Sequence, residues 1–174
     1  MDKLLTTKYI LLKLGDWFYE LNPNRKDNDL SVLKTLKLIF LLSTIEKEKI
    51  DENLLDLGFT FKAMPYGPVE TDVYNAYQDG KLNIISNKGL DYNSLKEISF
   101  DSIDSNTIDI IDRNISLLKN ENYYLISNSA SYLVDLTHLY DSWKDNFNKA
   151  KAQGRYSIEI PTQEIKNEKN YYSL

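Results

Sequence analysis

The sequence contains no cysteine and a single histidine, His138. Without cysteine the chain has no disulfide bond, no thiolate metal site and no cysteine nucleophile, and this composition fits a reducing compartment. We therefore expect a cytoplasmic protein. With one histidine the chain also lacks His-Glu-x-x-His zinc motifs and multi-histidine centres, so we expect no bound metal.

Glycine and long apolar runs are scarce as well. The glycines stand at positions 15, 58, 67, 80, 89 and 154. None is close enough to another to form a phosphate-binding loop or a dinucleotide fingerprint, so we expect no cofactor. The acidic stretch 101–112 lacks the spacing and the central glycine of a calcium loop. No apolar run approaches the ~20 residues that span a bilayer, so we expect no membrane association.

Positive charge is in deficit, because 21 Lys and Arg face 26 Asp and Glu, a net charge of −5. This balance disfavours general nucleic-acid binding, which depends on clustered cations. One local basic cluster is interleaved with Asp141 and Asp145 and consists of Lys144, Lys149, Lys151 and Arg155. A solvated helix face explains this cluster better than a phosphate site does.

The composition that remains is typical of a globular protein, with 42% hydrophobic and 27% charged residues. The length of 174 residues fits one domain, and no internal repeat, low-complexity tract or long linker divides it. We therefore predict a single domain over residues 1–174. The periodicities described next predict a mainly α fold, a compact multi-helix bundle with a small β-hairpin or short strands.

Two amphipathic patterns open the chain. Residues 9–21 place apolar side chains every three or four positions, which predicts a helix ending before Asn22-Pro23. A second helix is predicted from a cap at Asp29 or Ser31 to about Glu46. Its apolar residues cover most of the circumference, so this helix should be central in the fold.

The middle of the chain is divided by glycine and proline. Residues 51–57 predict a short helix closed by Gly58, and residues 59–61 a brief strand. Pro68 suits the first position of a helix over 68–79 that ends before Gly80. Residues 82–86 and the segment after Asn87-Lys88-Gly89 predict a small hairpin whose turn needs positive φ.

The C-terminal part predicts further helices and one extended segment. A helix should run from Ser105 to about Leu118, and another should begin at Ser127 or Ser129 and continue through Leu139. The next should run from Ser142 to Gly154. Residues 156–160 look extended, and Pro161-Thr162 should begin a terminal helix.

His138 is the one residue that suggests catalysis. Asp135 lies three residues earlier on the same predicted helix, so a triad with a serine from elsewhere is conceivable. However, no Gly-x-Ser-x-Gly elbow presents a serine, and a lone helical histidine is more often a packed or capping residue. We therefore expect a protein that is not an enzyme.

Three ordered blocks carry a family resemblance. The first is residues 33–40, Leu-Lys-Thr-Leu-Lys-Leu-Ile-Phe, and the second is residues 61–69, Phe-Lys-Ala-Met-Pro-Tyr-Gly-Pro-Val, followed by Val73-Tyr74. The third comprises Leu136-Thr137-His138, Trp143, Ala150 and residues 158–165. Together they resemble the Panacea domain family, the SocA-like antitoxins of bacterial toxin–antitoxin modules. Leu36 stands where that family commonly has Gln, and Ser142 where Pro usually precedes the Trp.

The resemblance carries over seven motif residues, namely Tyr66, Gly67, Pro68, Val69, Tyr74, His138 and Trp143. Their chemistry favours structural roles over direct contact with a partner. Tyr66 and Tyr74 are expected to pack or pair their hydroxyls, since Tyr74 follows two turns after Tyr66. His138 and Trp143 straddle a predicted helix junction, where the imidazole is expected to bond free backbone carbonyls.

The resemblance implies an antitoxin that neutralises a cognate toxin protein by direct contact. A proteolytic adaptor that delivers its partner to a protease is the first alternative. A nucleic-acid-binding regulator and a hydrolase using His138 are the others. The acidic charge disfavours the regulator, and the missing serine elbow disfavours the hydrolase. The identity of the toxin, the binding surface and the oligomeric state stay open at this point.

Overall fold

A computed structural model describes residues 1–45 and 52–174. The first two helices are α1, Lys3–Leu21, and α2, Val32–Ser43. Asp2 caps α1 by accepting from the backbone N–H of Leu5, so this helix begins six residues before the predicted start. Ser31 caps α2 through the N–H of Lys34 and is therefore the correct choice of the two predicted caps.

Helix α2 is buried on every side, which confirms the prediction that it is central. All of its residues except Leu33 are buried, and they include the lysines at 34 and 37. Lys34 forms an ion pair with Asp29 at 2.7 Å. The helix packs against α3, α5, α6 and the sheet, whose bounds follow.

The sheet has three short antiparallel strands in the order β2-β1-β3. Strand β1, Phe61–Met64, pairs with β2, Gly67–Glu70, and on its other edge with β3, Ile158–Ile160. The extended segment predicted near 156–160 is confirmed as β3, whereas the strand predicted at 59–61 begins at Phe61. A hairpin therefore exists, but it lies at 61–70.

Pro68 does not begin a helix, so the predicted helix over 68–79 is wrong in its first turn. Pro68 lies in β2 opposite Ala63, and β2 is an edge strand, where a missing N–H leaves no ladder bond unmade. Helix α3, Thr71–Gln78, begins three residues later. The carboxylate of Glu70 caps it by accepting from the N–H of Val73.

The remaining helices agree with the predicted pattern, with two additions. These elements are α4, Tyr92–Lys96; α5, Ser105–Glu121; a 3-10 turn, Leu125–Ser127; α6, Ala130–Thr137; α7, Asp141–Ala152; and α8, Thr162–Asn167. The short α4 and the 3-10 turn were not predicted. Ser129 caps α6, which settles the choice between Ser127 and Ser129. The described helices and small sheet confirm the mainly α class.

Two predicted elements of the middle region differ. Part of the helix predicted at 51–57 lies outside the described residues, and residues 54–58 form a turn that ends at Gly58 with φ of 82°. The predicted 82–90 hairpin is reduced to one bridge between Ile85 and Leu90. Gly89 does not have positive φ. It is needed because the Asn28 backbone lies where a Cβ would be.

One cluster of buried hydrophobic side chains extends from Ile10 on α1 to Ile165 on α8. Helices α2 and α6 pack against β2, while α7 packs against β1 and β3. The β1–β2 hairpin is thus enclosed by three helices. Within the described ranges, no helix combines the length and apolar character needed to cross a bilayer.

Candidate functional site

The hairpin turn, residues 64–67, brings the second sequence block to the surface between α6 and α7. Met64 and Gly67 are the last paired residues, so Pro65 and Tyr66 form a two-residue connection. Gly67 has φ of 95°, a conformation that L side chains rarely adopt. A Cβ on Gly67 would also lie 2.6 Å from Oγ1 of Thr137. Glycine is therefore required for backbone conformation and for space.

Lys37 supports the turn from below. Its side chain is fully buried, and its Nζ donates a hydrogen bond to the carbonyl oxygen of Pro68 at 2.6 Å. No carboxylate forms an ion pair with it in the part of the chain that the structure describes. Burial alone lowers the pKa of Lys37 to about 7, because desolvation penalises the ammonium form.

Trp143 holds the other side of the turn. Its Nε1–H donates to the carbonyl oxygen of Met64 at 2.9 Å. This bond joins α7 to the hairpin turn. The indole is 7% exposed and stacks on the ring of Phe147. Its other stacking partner is His138, with ring centroids 3.8 Å apart and planes 8° apart. The third sequence block therefore meets the second one here.

His138 ends α6, but its side chain does not bond the free carbonyls as predicted. It is the backbone N–H of His138 that donates to the carbonyls of Val134 and Asp135. The imidazole Nε2 is buried and has no hydrogen-bond partner among residues 1–45 and 52–174. Burial lowers the pKa of His138, the nearby Lys37 charge lowers it further, and Asp135 opposes both.

The motif residues thus converge on one turn, with Tyr74 as the exception. Gly67, Pro68 and Val69 are buried in β2, while Tyr66 projects with 66% of its surface exposed. Tyr74 is partly buried on α3 against the core. Within the described residues no hydrogen bond or ring contact joins Tyr66 to Tyr74. The predicted pairing of these two tyrosines is therefore wrong, because the strand at 67–70 separates them.

Ser142, the departure from the family pattern, has its own partner. The backbone N–H of Ser142 donates to Oε2 of Glu168 at 2.9 Å, and its hydroxyl donates to Oε1 of the same carboxylate. Proline has no N–H and could not make the first bond. Burial raises the pKa of Glu168, while the hydrogen bonds from Ser142 oppose that shift. The serine fastens the start of α7 to the segment after α8.

The geometry around His138 does not assemble a nucleophile and base. Among the described contacts, the imidazole of His138 forms no hydrogen bond to the Asp135 carboxylate and none to a serine hydroxyl. The described ranges also contain no group of three or more His, Cys, Asp or Glu side chains suited to a metal ion. Instead, Lys37 and Trp143 donate hydrogen bonds to the carbonyls of Pro68 and Met64, which flank the turn.

Sequence reasoning assigned no role to Lys37, although Lys37 lies within the first block. A signal was present, because apolar residues cover nearly the whole circumference of α2 and leave no exposed face for a lysine. Thr137 was named only as part of the Leu-x-His block. Its closeness to Gly67 depends on how α6 crosses β2, which the spacing of residues does not specify.

Comparison with known protein families matches residues 36–144 to the family described as Antitoxin SocA-like, Panacea domain. The matched range contains Lys37, the hairpin turn, His138 and Trp143, the residues that the fold brings together. Comparisons with curated proteins and with solved structures give no match. The match covers more than half of the 174 residues, and the chain therefore belongs to the SocA-like antitoxin family of Panacea domains.

Proposed function

We propose that this protein is an antitoxin that binds a cognate toxin protein and neutralises it by direct complex formation. The observation that carries the proposal is membership of the SocA-like antitoxin family over residues 36–144. The proposal treats the protein as a binding module without catalytic activity, acting in the cytoplasm.

The arrangement of the motif supports a binding module. Lys37 and Trp143 direct their polar atoms to backbone carbonyls of the chain itself, and both side chains are buried. A residue poised for catalysis needs access to a substrate, whereas Lys37 is fully buried. The motif residues therefore fix the backbone of the hairpin turn at the surface. A fixed surface of this kind suits the recognition of another protein.

The test is co-expression with the product of the adjacent gene, read as growth, toxin abundance and pull-down from the same culture. We expect growth to be restored, the toxin to persist, and the two proteins to co-purify. Their interface should bury at least ~1,000 Å², because occlusion needs a specific and long-lived complex. Restored growth with loss of the toxin would favour the adaptor alternative. Restored growth without contact would contradict direct neutralisation and favour a regulator of nucleic acid.

A variant of the lone histidine tests the proposed absence of catalysis. His138→Asn removes the imidazole while leaving a polar side chain of similar reach. We expect the folded variant to bind its partner as the wild type does, or more weakly only in proportion to lost stability. A turnover that the wild-type protein performs and the folded variant does not would contradict the binding-module proposal.

A further inference from the structure

Two tyrosines are mostly exposed and make no polar or ring contact among the described residues. Tyr66 is 66% exposed and Tyr156 is 69% exposed. Throughout residues 1–45 and 52–174, neither hydroxyl has a hydrogen-bond partner and neither ring contacts another ring. Tyr124 is equally exposed at 68%, but its ring packs edge-on against Tyr123. Exposed tyrosine with no partner of its own is typical of residues that anchor protein–protein interfaces.

The sheet places these two tyrosines at the same end. Strand β3 starts at Ile158 opposite Ala63, which precedes the hairpin turn by one residue. Tyr156, two residues before β3, therefore lies beside the end of the sheet at which Tyr66 forms the turn. Leu139, 40% exposed, follows the histidine that stacks on Trp143, and Phe147 also stacks on that indole.

The turn presents Tyr66 in a fixed position. Pro65 restricts the backbone before it, and Gly67 has positive φ and no room for a side chain after it. The carbonyls on either side of the turn are bonded by the buried Lys37 and Trp143. Binding through such an anchor avoids much of the entropy cost of ordering a loop. The buried motif thus acts as a positioning device for an exposed aromatic ring.

One stretch at this end carries only positive charge, bordered by Asp145 and Glu159. Residues 146–158 contain Lys149, Lys151 and Arg155 and no carboxylate, in a chain whose net charge is −5. Lys149 lies 4.0 Å from Glu164, so part of its charge is compensated. Lys151 lies 5.2 Å from the ring centre of Phe147 and forms no ion pair with described residues. The same holds for Arg155, which is exposed.

We infer that the toxin binds at this end of the sheet, which we call the turn-end surface: Tyr66, Leu139, Phe147, Lys151, Arg155 and Tyr156. The partner that fits it is a protein surface with an apolar centre and an acidic rim. The apolar centre receives the tyrosine rings, and the acidic rim meets the lysine and arginine. This inference rests on the proposed function, because it names the surface through which that function acts.

The experiment measures the affinity of the purified product of the adjacent gene for the full-length protein and its variants. Tyr66→Ala and Tyr156→Ala should each weaken binding by roughly thirtyfold, the size of a typical hot-spot loss. Their melting temperatures should stay near the wild-type value, since both rings are mostly exposed. Tyr124→Ala is the matched control, because it removes an equally exposed ring. Tyr124 precedes α6, whereas His138 lies at the other end of that helix, so this variant should bind as the wild type does.

A second set of variants tests the acidic rim. Lys151→Glu and Arg155→Glu should each weaken binding, and the loss should shrink as salt is raised, because screening weakens exposed charge pairs. Lys88→Glu, at an exposed lysine of the 86–89 turn, is the matched control and should have no effect beyond the general change of net charge.

The outcomes separate the two proposals. If the wild-type protein does not bind the neighbouring product, the proposed function fails and this inference fails with it. If the wild type binds and the turn-end variants bind equally well, the proposed function stands and the turn-end surface is overturned. A loss with Tyr124→Ala equal to that with Tyr66→Ala would also overturn it. Selective loss in the Tyr66, Tyr156, Lys151 and Arg155 variants supports it.

Discussion

Replacing Lys37 by methionine should abolish a pH dependence of stability that the wild-type protein shows above neutral pH. Burial lowers the pKa of Lys37 to about 7 in the folded protein, from an ordinary value near 10.5. Between these values the unfolded chain binds a proton that the folded chain does not. The free energy of unfolding therefore rises with pH from about 7 to about 10.5, and the stability lost to this buried amine is greatest below about pH 7.

The magnitude follows from the linkage relation. One pH unit is worth at most about 1.4 kcal/mol per proton, and the folded amine is half protonated near its own pKa. From about pH 7 to about pH 9, Lys37 should contribute an increase of about 2 kcal/mol. Lys37→Met removes this pH-dependent contribution to the free energy of unfolding. It also removes the bond to the Pro68 carbonyl, which costs about 1–3 kcal/mol at every pH and leaves the slope unaffected.

The assay is urea unfolding of the wild type and Lys37→Met at several values between about pH 7 and pH 9, with the difference between the two plotted against pH. Taking the difference cancels every group whose titration does not depend on Lys37. The Lys37 charge affects His138, but the pKa of His138 is lowered from its ordinary value near 6.5 and so lies below this range. Lys88→Met, at an exposed lysine, should follow the wild-type curve. Parallel curves for the wild type and Lys37→Met would mean that Lys37 stays charged in the fold, and would refute the assignment of a neutral buried amine.

Two further predictions concern the same turn. Gly67→Ala should cost at least about 1 kcal/mol more than Gly58→Ala by thermal melting, because both have positive φ but only Gly67 would press a Cβ against Thr137; equal losses would show that the contact relaxes freely. Trp143→Ala should lower the free energy of unfolding by about 3–5 kcal/mol, since it empties a buried aromatic site and frees the Met64 carbonyl. An unchanged melting temperature would place the indole outside the core.

The helices were predictable because their signals are local. Ser31 and Ser129 are caps that the sequence already offered, and the apolar circumference of α2 required a buried position. The first turn of the 68–79 helix was wrong because Pro68 suits two environments equally well. The first position of a helix and an edge strand both tolerate a missing N–H, and only the pairing of β2 with β1 decides between them.

The site was predictable in its residues but not in its bonds. The blocks identified Gly67, His138 and Trp143, and the fold brings all three to one turn. The bonds themselves join a side chain to a backbone carbonyl, as Lys37 does with Pro68. Every residue has such a carbonyl, so the sequence does not show which one is bonded. The exposure of Tyr66 next to the buried Gly67 was also not predictable. It depends on how three helices pack around the short strands of the hairpin.

The sheet order has a consequence for how the chain folds. Strands β1 and β2 are joined by a two-residue turn and can pair as soon as they are synthesised, but β3 reaches β1 only when Phe61 meets Ile160. Closing so long a loop is slow compared with forming a hairpin. Until then one edge of β1 offers unpaired N–H and C=O groups, to which another chain could add. During synthesis, the β1 edge should therefore stay open to pairing with other chains until β3 arrives.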